Sequence, residues 1–432
     1  MRIKSRVLLP AGALAAVILA AACAPPPAKP PVKPPAKPPV TAPPTTVTAC
    51  PAAPANGTPG PDSLNPLAGT SGVDGTAKTA VVIGNVVYVG GSFAHVLLPT
   101  GAVAGAKLNV AAFCLANGKL LTTFTANTNG VVNALATDGA NLFIGGNFTT
   151  LNGQASNRLV KVDARTGTRI AAFNPPQIPY FTVLPADTEG IHALAYNGGV
   201  IYAGGDFGKI GSSAPAVSVG NAAGFSSTTG GYTGWHASAD KKRIDSIAVD
   251  NTSVFLGGDF TTVAGNAHDK LAKLVRTTGA DSGVNYGTVG ARPLSIGVNA
   301  DESVVVALGG AVPGGSGLGQ HISYYDNAGA LKWTDPNPKG FVQAVQIVGS
   351  RAYTGLLTGY ANPATNTALR LLGIDFAKSP GAPGYLAWTP AIVAPATGGV
   401  VGLTAGANRL VAVGNFTAVG STTALHGLAI FN

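Results

Sequence analysis

Phe143-Ile144-Gly145-Gly146-Asn147-Phe148 is one of seven related segments in this chain of 432 residues. Similarity at a regular spacing is typical of repeat proteins. The first glycine, or the residue in its place, falls at 90, 145, 204, 257, 309, 354 and 413, so the steps run from 45 to 59 residues. The other copies are Tyr88-Val89-Gly90-Gly91-Ser92-Phe93, Tyr202-Ala203-Gly204-Gly205-Asp206-Phe207, Phe255-Leu256-Gly257-Gly258-Asp259-Phe260, the weaker Ala307-Leu308-Gly309-Gly310, the degenerate Tyr353-Thr354-Gly355, and Ala412-Val413-Gly414-Asn415-Phe416.

Four short strands fit into each unit. In the second unit they cover 131–137, 141–148, 157–163 and 169–173, and Asp138-Gly139 is a strong signal for a tight turn between the first two. Repeating such a sheet around a centre protects its edges from other chains. The sequence therefore predicts an all-β protein, a seven-bladed β-propeller of four-stranded antiparallel blades over residues 50–432.

The last unit supplies three strands, at 401–405, 409–416 and 425–431. Residues 62–66 precede the first full unit and resemble Phe173-Asn174-Pro175, the end of a fourth strand. We expect this N-terminal segment to pair with the C-terminal strand and close the propeller. The alternative is that residues 50–75 are further linker, which their Pro, Gly and Ser content favours.

Aromatic residues end the successive units. Periodicity favours packing in the core over a platform for stacking sugars. The residues are Phe124, Phe173, Trp235, Trp333 and Trp388, with Tyr286 as a sixth.

The repeats resemble the delta-60 repeat family of bacterial β-propellers, whose units centre on Gly-Gly-Asp-Phe-Thr followed by Asn-Gly. The segments 145–153 (GGNFTTLNG) and 257–265 (GGDFTTVAG) match closely, 414–420 matches in part, and copies five and six depart from the pattern. The resemblance covers about residues 50–432. It implies the fold and no defined activity.

Residues 1–22 form the pattern of a signal peptide, with Arg2, Lys4 and Arg6 before 16 apolar residues. The small residues before Cys23 resemble a bacterial lipobox, which implies that Cys23 is lipidated. Ala20 departs from the usual leucine, and ordinary cleavage after the alanines is the alternative. We expect export and a lipid anchor on the outer face of the cell membrane or cell wall.

Residues 23–49 join the anchor to the repeats. Their repeated prolines favour polyproline II, and about 25 residues would span about 75 Å as a stalk. Leader and stalk hold six of the 27 basic residues, so the body has 21 against 18 acidic ones. A balance this even does not indicate a nucleic-acid binder.

Cys50 and Cys114 are the other cysteines of the chain. Neither has metal-ligand neighbours, and an exported protein meets an oxidising environment. A disulfide between them is therefore the simplest expectation.

The polar residue after each glycine pair is a candidate for a calcium ring. Successive positions lie over 50 residues apart, so local bonds to the backbone explain them better. The positions are Ser92, Asn147, Asp206, Asp259 and Asn415.

Six histidines, at 95, 192, 236, 268, 321 and 426, form no zinc motif, and no nucleophile elbow is present. We therefore expect no cofactor or metal. The sequence favours a monomeric binding or scaffold module for an unknown envelope or extracellular ligand. The alternative is an enzyme, a quinoprotein-like oxidoreductase or a lyase, which would gather four or more charged groups at one mouth of the central channel.

Overall fold

Strands are the regular structure of the computed structural model, which describes residues 50–52, 65–179, 190–211, 216–240, 243–309, 321–335, 341–361, 368–375 and 384–432. These residues belong to the unit Pro43–Asn432. None of them forms a helix of the length and apolarity that crossing a membrane requires. The all-β prediction is confirmed for the described residues. The predicted signal peptide, Cys23 and the stalk lie outside them.

The strands of the described residues are short and follow one another closely. In chain order they are β1 Gly72–Val73, β2 Thr76–Ile83, β3 Val86–Ser92, β4 His95–Leu97, β5 Val103–Ala106, β6 Val110–Cys114, β7 Val132–Thr137, β8 Asn141–Gly146, β9 Thr150–Leu151, β10 Gln154–Ala155, β11 Leu159–Asp163, β12 Ile191–Asn197, β13 Val200–Gly205, β14 Lys209–Ile210, β15 Val217–Ser218, β16 Ala222–Ser226, β17 Tyr232–His236, β18 Arg243–Val249, β19 Ser253–Asp259, β20 Thr262–Val263, β21 Asn266–Ala267, β22 Leu271–Val275, β23 Arg292–Val298, β24 Val304–Gly309, β25 Ile322–Tyr325, β26 Leu331–Thr334, β27 Val342–Val348, β28 Arg351–Ala361, β29 Ala368–Asp375, β30 Gly384–Tyr385, β31 Ile392–Val393, β32 Val400–Gly406, β33 Arg409–Gly414, β34 Ala418–Val419, β35 Thr422–Thr423 and β36 Leu428–Phe431.

Seven larger antiparallel sheets, one for each sequence repeat, occur among the described residues. In the order of the chain they are sheet 1 (β2-β3-β6), sheet 2 (β7-β8-β11), sheet 3 (β12-β13-β16-β17), sheet 4 (β18-β19-β22), sheet 5 (β23-β24-β25-β26), sheet 6 (β27-β28-β29-β30) and sheet 7 (β32-β33-β36).

The first strands of these sheets are neighbours in sequence order. Each one, from β2 to β27, contacts the first strand of the following sheet, and β32 contacts β2. Clusters of buried apolar side chains lie between neighbouring sheets in the same order. One of them joins Val411 and Val413 of sheet 7 to Val87 and Val89 of sheet 1. The core of the described residues is thus divided among the spaces between sheets.

The fourth strand is less regular than the sequence predicts. Sheets 3, 5 and 6 have it, whereas sheets 1, 2 and 4 keep only isolated bridges, such as Val162 to Arg169 in sheet 2. The predicted strand 169–173 is therefore wrong beyond its first residue. Pairing stops after Arg169 because the chain turns at 171–172, where the Phe173 N–H donates to the Ile170 carbonyl at 3.0 Å.

All six unit-ending aromatics are buried, with exposures of 0 to 8%. Most contact another aromatic ring edge-on, as Trp235 does with Tyr202 at 4.9 Å between ring centroids. Trp388 contacts Phe431 of sheet 7 at 5.2 Å. Their place in the core is confirmed, and it leaves no ring face for a sugar.

Residues near both ends of the described chain meet at sheet 7. The Leu67 N–H donates to the Ile430 carbonyl at 2.8 Å, and the Val73 N–H donates to the His426 carbonyl at 2.7 Å. The Asn65 side chain accepts a bond from the Ser421 N–H at 3.1 Å. Residues 65–67 form no strand, and 62–64 of the predicted pairing segment lie outside the described residues.

The predicted disulfide between Cys50 and Cys114 is present, with the two Cα atoms 5.3 Å apart. It joins the start of the described chain to the third strand of sheet 1 across 64 residues. Closing a loop of that length in the unfolded chain stabilises the fold by about 4 kcal/mol.

Candidate functional site

A β-bulge occurs near the start of the first strand in each of the seven sheets. In sheet 3, for example, Ile191 pairs with Gly205 and Ala193 with Gly204, so His192 has no partner on the second strand. A bulge re-aims the side chain of the extra residue. The residues left over in this way, named here the bulge ring, are Lys78, Asn133, His192, Asp245, Leu294, Gln343 and Val401.

The second glycine of the repeated motif makes room for the bulge. A Cβ atom on Gly205 would lie 1.9 Å from the Gly190 carbonyl oxygen, and one on Gly146 would lie 2.1 Å from that of Val131. No side chain is compatible with such distances, so the backbone before the bulge approaches where only glycine fits. In sheets 5 and 6 the residue in place of the second glycine is Leu308 and Leu356, respectively. Nothing in the structure explains how the bulge tolerates these leucines.

The bulges correct the alignment of two weak repeats. Ala307 in sheet 5 and Gly355 in sheet 6 pair as the first glycine does elsewhere, rather than Gly309 and Thr354. Gly309 instead pairs with Arg292, in the register of the polar position after the glycines. The sequence placed these copies wrongly because glycine identity, and not register, guided the alignment.

All seven residues of the bulge ring line one cavity of about 190 Å³. Two residues further along the strands, roughly 6–7 Å away, the lining becomes apolar. This second set, named the apolar layer, comprises Ala80, Leu135, Leu194, Ile247, Ile296 and Leu403. The cavity therefore has a polar zone and an apolar zone.

His192 is held by a carboxylate of the same sheet. Its Nε2 lies 2.7 Å from Asp206 Oδ2, and the two side chains are 12% and 2% exposed. The second carboxylate oxygen, Oδ1, is buried without a hydrogen-bond partner. Because a carboxylate oxygen accepts, His192 Nε2 is the donor of this hydrogen bond.

Asp245 is bound by two arginines that begin neighbouring first strands. Arg243 Nε lies 2.7 Å from Oδ1, and Arg292 Nη1 lies 3.5 Å from Oδ2. The carboxylate is 4% exposed, whereas the arginine side chains are 24% and 30% exposed. Sheets 4 and 5 are thus linked at the cavity by an ionic cluster.

Lys78 and Asn133 complete the polar side of the ring. The Lys78 ammonium donates to Asn133 Oδ1 at 3.2 Å, and the Asn133 amide donates to the Ile191 carbonyl at 3.2 Å. These bonds connect sheets 1, 2 and 3 in sequence order. A ligand here would meet an ammonium, an amide and an imidazole in succession.

Hydroxyl groups near the cavity are bound to the backbone. Ser246 donates to the Pro293 carbonyl at 2.7 Å, and the Ser295 side chain accepts from the Val345 N–H at 3.1 Å. Neither is bonded to His192, so the cavity contains no histidine-activated serine among the described residues. Those residues also contain no group of three His, Cys, Asp or Glu side chains that could hold a metal ion.

The arrangement resembles that of a solved propeller. The WD40 β-propeller domain of Doa1 matches with a TM-score of 0.50 at 11% identity, over 87% of this chain and 97% of that one. The fold is that of a β-propeller. The designed protein Ika8 matches with a TM-score of 0.49 at 13% identity, over 85% of this chain and 99% of its own, and BamB from Moraxella catarrhalis with 0.40 at 13%, over 84% and 96%. No family model and no curated protein matches the sequence.

The polar positions after the glycines do not share one role in the propeller. Asn415 accepts the Gly399 N–H at 2.9 Å, which is a bond to the backbone but across 16 residues rather than within a turn. Asn147 Oδ1 is buried without a partner. Asp206 binds His192 on the neighbouring strand, so here the local-bond hypothesis is wrong.

Sequence reasoning missed the bulge ring, although a signal for it exists. Lys78, Asn133, His192 and Asp245 each lie twelve residues before the first glycine of their repeat. Position 343 lies twelve before Gly355, once the register corrects that copy. Polar residues recurring at one offset, near the start of strands that are otherwise largely apolar, could have revealed a position that faces a shared cavity.

Proposed function

We propose that this chain is a seven-bladed β-propeller that binds a small ligand in the cavity of its bulge ring. The observation that supports this most directly is that one bulge residue from every sheet lines the same cavity. Cavities with a few convergent polar groups on a rigid scaffold are the usual form of a ligand site. Binding, rather than catalysis, is the function that the geometry supports best.

A ligand screen by thermal shift tests this proposal. A library of small polar metabolites is compared on the intact chain and on the double variant Asn133→Ala, Gln343→Ala, with Gln154→Ala as control. Gln154 is exposed on β10, which pairs only with β9 among the described strands, and it does not line the cavity. We expect compounds that stabilise the parent and the control but not the double variant. The proposal would be contradicted if no compound of the library gave a thermal stabilisation that depends on Asn133 and Gln343.

Ring closure through the chain ends is part of the proposal. Contacts between β32 and β2, the apolar cluster shared by sheets 7 and 1, and the bond from Leu67 to Ile430 support it. Deleting residues 51–70 should lower the thermal midpoint, because that segment carries the bond to sheet 7. Deleting 24–48 should not, and equal midpoints would refute the closure.

We also propose that the protein is exported and lipid-anchored at Cys23, as a member of the delta-60 repeat family. The leader pattern, the lipobox-like residues and the repeats support this, and the disulfide fits an oxidising compartment. Cys23→Ala should release the protein from the membrane fraction. Retention through a carbonate wash would contradict the anchor.

An enzyme is the second candidate, because ionisable groups do gather at the cavity in the number expected of one. Those that line it or pair with a lining residue are Lys78, His192, Asp206, Arg243, Asp245 and Arg292. A lyase could use His192 as a general base. Conversion of a bound ligand by the parent and not by His192→Gln would favour catalysis over binding.

A further inference from the structure

Two arginines lie beside the cavity, on the neighbouring first strands of sheets 4 and 5. Arg243 begins β18 and Arg292 begins β23, each two residues before the bulge residue of its strand. The other five sheets form the same bulge without an arginine in that place, so the fold does not require these cations. The residues found there instead are Thr76, Val131, Gly190, Phe341 and Gly399.

The two arginines share one carboxylate. Arg243 Nε lies 2.7 Å from Asp245 Oδ1, and Arg292 Nη1 lies 3.5 Å from Asp245 Oδ2. A guanidinium group has five N–H donors and stays charged in proteins. Among the described residues, the other nitrogens of both groups have no partner. The arginines therefore bring one positive charge and several donors more than Asp245 uses.

Part of this cluster is buried without a matching hydrogen bond. Arg243 Nε and Asp245 Oδ2 are shielded from solvent and lack a hydrogen-bond partner, although the opposite charges are in contact. Buried polar atoms in this state are rare in native proteins, and each needs an explanation. The arginine side chains are 24% and 30% exposed, so a solute can reach them. A bound acceptor is the explanation that also accounts for the second arginine.

Neighbouring carboxylates are bound elsewhere. Asp240, three residues before Arg243, accepts two backbone N–H groups at 2.8 and 3.0 Å, and Asp269 pairs with Lys270 at 2.7 Å. Asp259 lies opposite Arg243 in the ladder, but no ion pair joins the two in the described part of the chain. The unused donors of the arginines are therefore available to an anion.

Building on the proposed function, we propose that Arg243 and Arg292 together bind the oxyanion group of a small organic ligand, either a phosphate monoester or a carboxylate. Both groups offer acceptor oxygens in the geometry that the guanidinium fork matches. The uncharged remainder of the ligand enters the cavity. There Leu294 and, two residues further along the strands, Ile247 and Ile296 supply apolar contacts.

Isothermal titration calorimetry on the intact chain, in Tris chloride without other oxyanions, tests this with two matched sets. The first is butyl phosphate with butanol and inorganic phosphate, and the second is pentanoate with pentanamide and acetate. We expect at least one of the two organic anions to bind about tenfold or more tightly than its neutral analogue, since a hydrogen bond to a charged group typically contributes that much.

The smallest anion of each set tests where the remainder of the ligand lies. The organic anion should bind more tightly than inorganic phosphate or acetate, because its alkyl chain leaves water for the apolar side of the cavity. The set with the tighter anion shows whether the arginines prefer a phosphate or a carboxylate.

Variants at the arginines locate the effect. Arg292→Gln should reduce binding of the organic anion to about the level of its neutral analogue. Arg165→Gln, which changes an arginine beside Asp163 on sheet 2, is the matched control and should leave the affinity unchanged. Arg292→Lys keeps the charge beside Asp245 but loses the planar fork. We expect its affinity to fall about threefold or more, a result that remains decisive if Arg292→Gln does not fold.

Equal binding of the organic anion and its neutral analogue, equal binding of the smallest anion, or an unchanged affinity in the Arg292 variants would each overturn this inference. The proposed function would still stand if the library screen finds a ligand whose stabilisation depends on Asn133 and Gln343. If neither the anions nor the library contain a ligand that binds, the binding function is wrong as well.

Discussion

Sheets 3 and 4 differ from sheets 5 and 7 at the bulge, where all four first strands have the same register shift. The bulge residue is His192 or Asp245 in the first pair and Leu294 or Val401 in the second. The register shift is the same in each sheet, so the side chain does not determine the bulge. The comparison shows that the scaffold fixes a position and that the residue placed there is free to set the chemistry.

The charged residues of sheets 3 and 4 are not expected to stabilise the fold more than the apolar residues of sheets 5 and 7. Asp206 and Asp245 are 2% and 4% exposed, and removing carboxylates from water costs several kcal/mol that ion pairs only partly recover. Leu294 and Val401 avoid that cost at the positions equivalent to His192 and Asp245. Retaining charges in sheets 3 and 4 is therefore easier to explain by ligand binding than by folding.

The largest effect should come from the shared scaffold. In Gly205→Ala the new Cβ would lie 1.9 Å from the Gly190 carbonyl oxygen, so the strand before His192 must move. We expect the free energy of unfolding, measured in urea, to fall by about 3 kcal/mol. Ligand binding should fall as well, because the movement of this strand also displaces His192.

Gly105→Ala is the matched control. Its Cβ would meet nothing nearer than Leu120 at 3.8 Å, an ordinary contact, and the stability should change by about 0.5 kcal/mol or less. Similar losses in the two alanine variants would mean that the close approach at Gly205 does not support the bulge.

A smaller loss should follow a change on the ionic side alone. Asp245→Asn removes the carboxylate between Arg243 and Arg292 and leaves two cations facing an amide. Breaking a fully buried pair costs 3–5 kcal/mol, but both arginines are about a quarter exposed, so we expect a loss of about 2 kcal/mol.

Asp326→Asn provides the control for that loss. Asp326 pairs with Lys332 at 2.7 Å on the surface, where water screens the pair. Urea unfolding should detect no change in this variant. An equally small change in the unfolding free energy of Asp245→Asn would show that the cluster of Asp245, Arg243 and Arg292 does not stabilise the fold.

The sequence predicted the strands, the buried aromatics and the disulfide because each has a local or compositional signal. Apolar periodicity marks strands, the ends of the units mark Phe173 and its equivalents, and the expectation of an oxidising compartment predicts the bond from Cys50 to Cys114. The fourth strands were overestimated, since edge pairing in sheet 2 ends where the chain turns after Arg169.

The candidate site was less accessible to sequence reasoning. Polar residues such as Lys78 and His192 lie about 114 positions apart and meet only because the sheets surround one cavity. Asp206 was assigned a local role, because nothing in its own segment indicates that His192 faces it. The offset of twelve residues before the first glycine is present in the sequence for four of these residues, but the register of the bulges is needed to extend it to Gln343.

The smallest effect should follow a change of chemistry on the apolar side. Leu294→Asn places an amide where sheet 2 already has Asn133, and the leucine is only partly buried at the cavity. Since water or a ligand can reach the new amide, we expect a loss of about 1 kcal/mol from the reduced apolar contact. Leu308→Asn, on the paired strand, is the matched variant: Leu308 is 0% exposed, so burying the amide there should cost about 3 kcal/mol or more. Urea unfolding of the two variants separates a ring position from a core position. Equal losses of unfolding free energy in the two variants would mean that Leu294 belongs to the core. The bulge position of sheet 5 would then not tolerate a polar side chain.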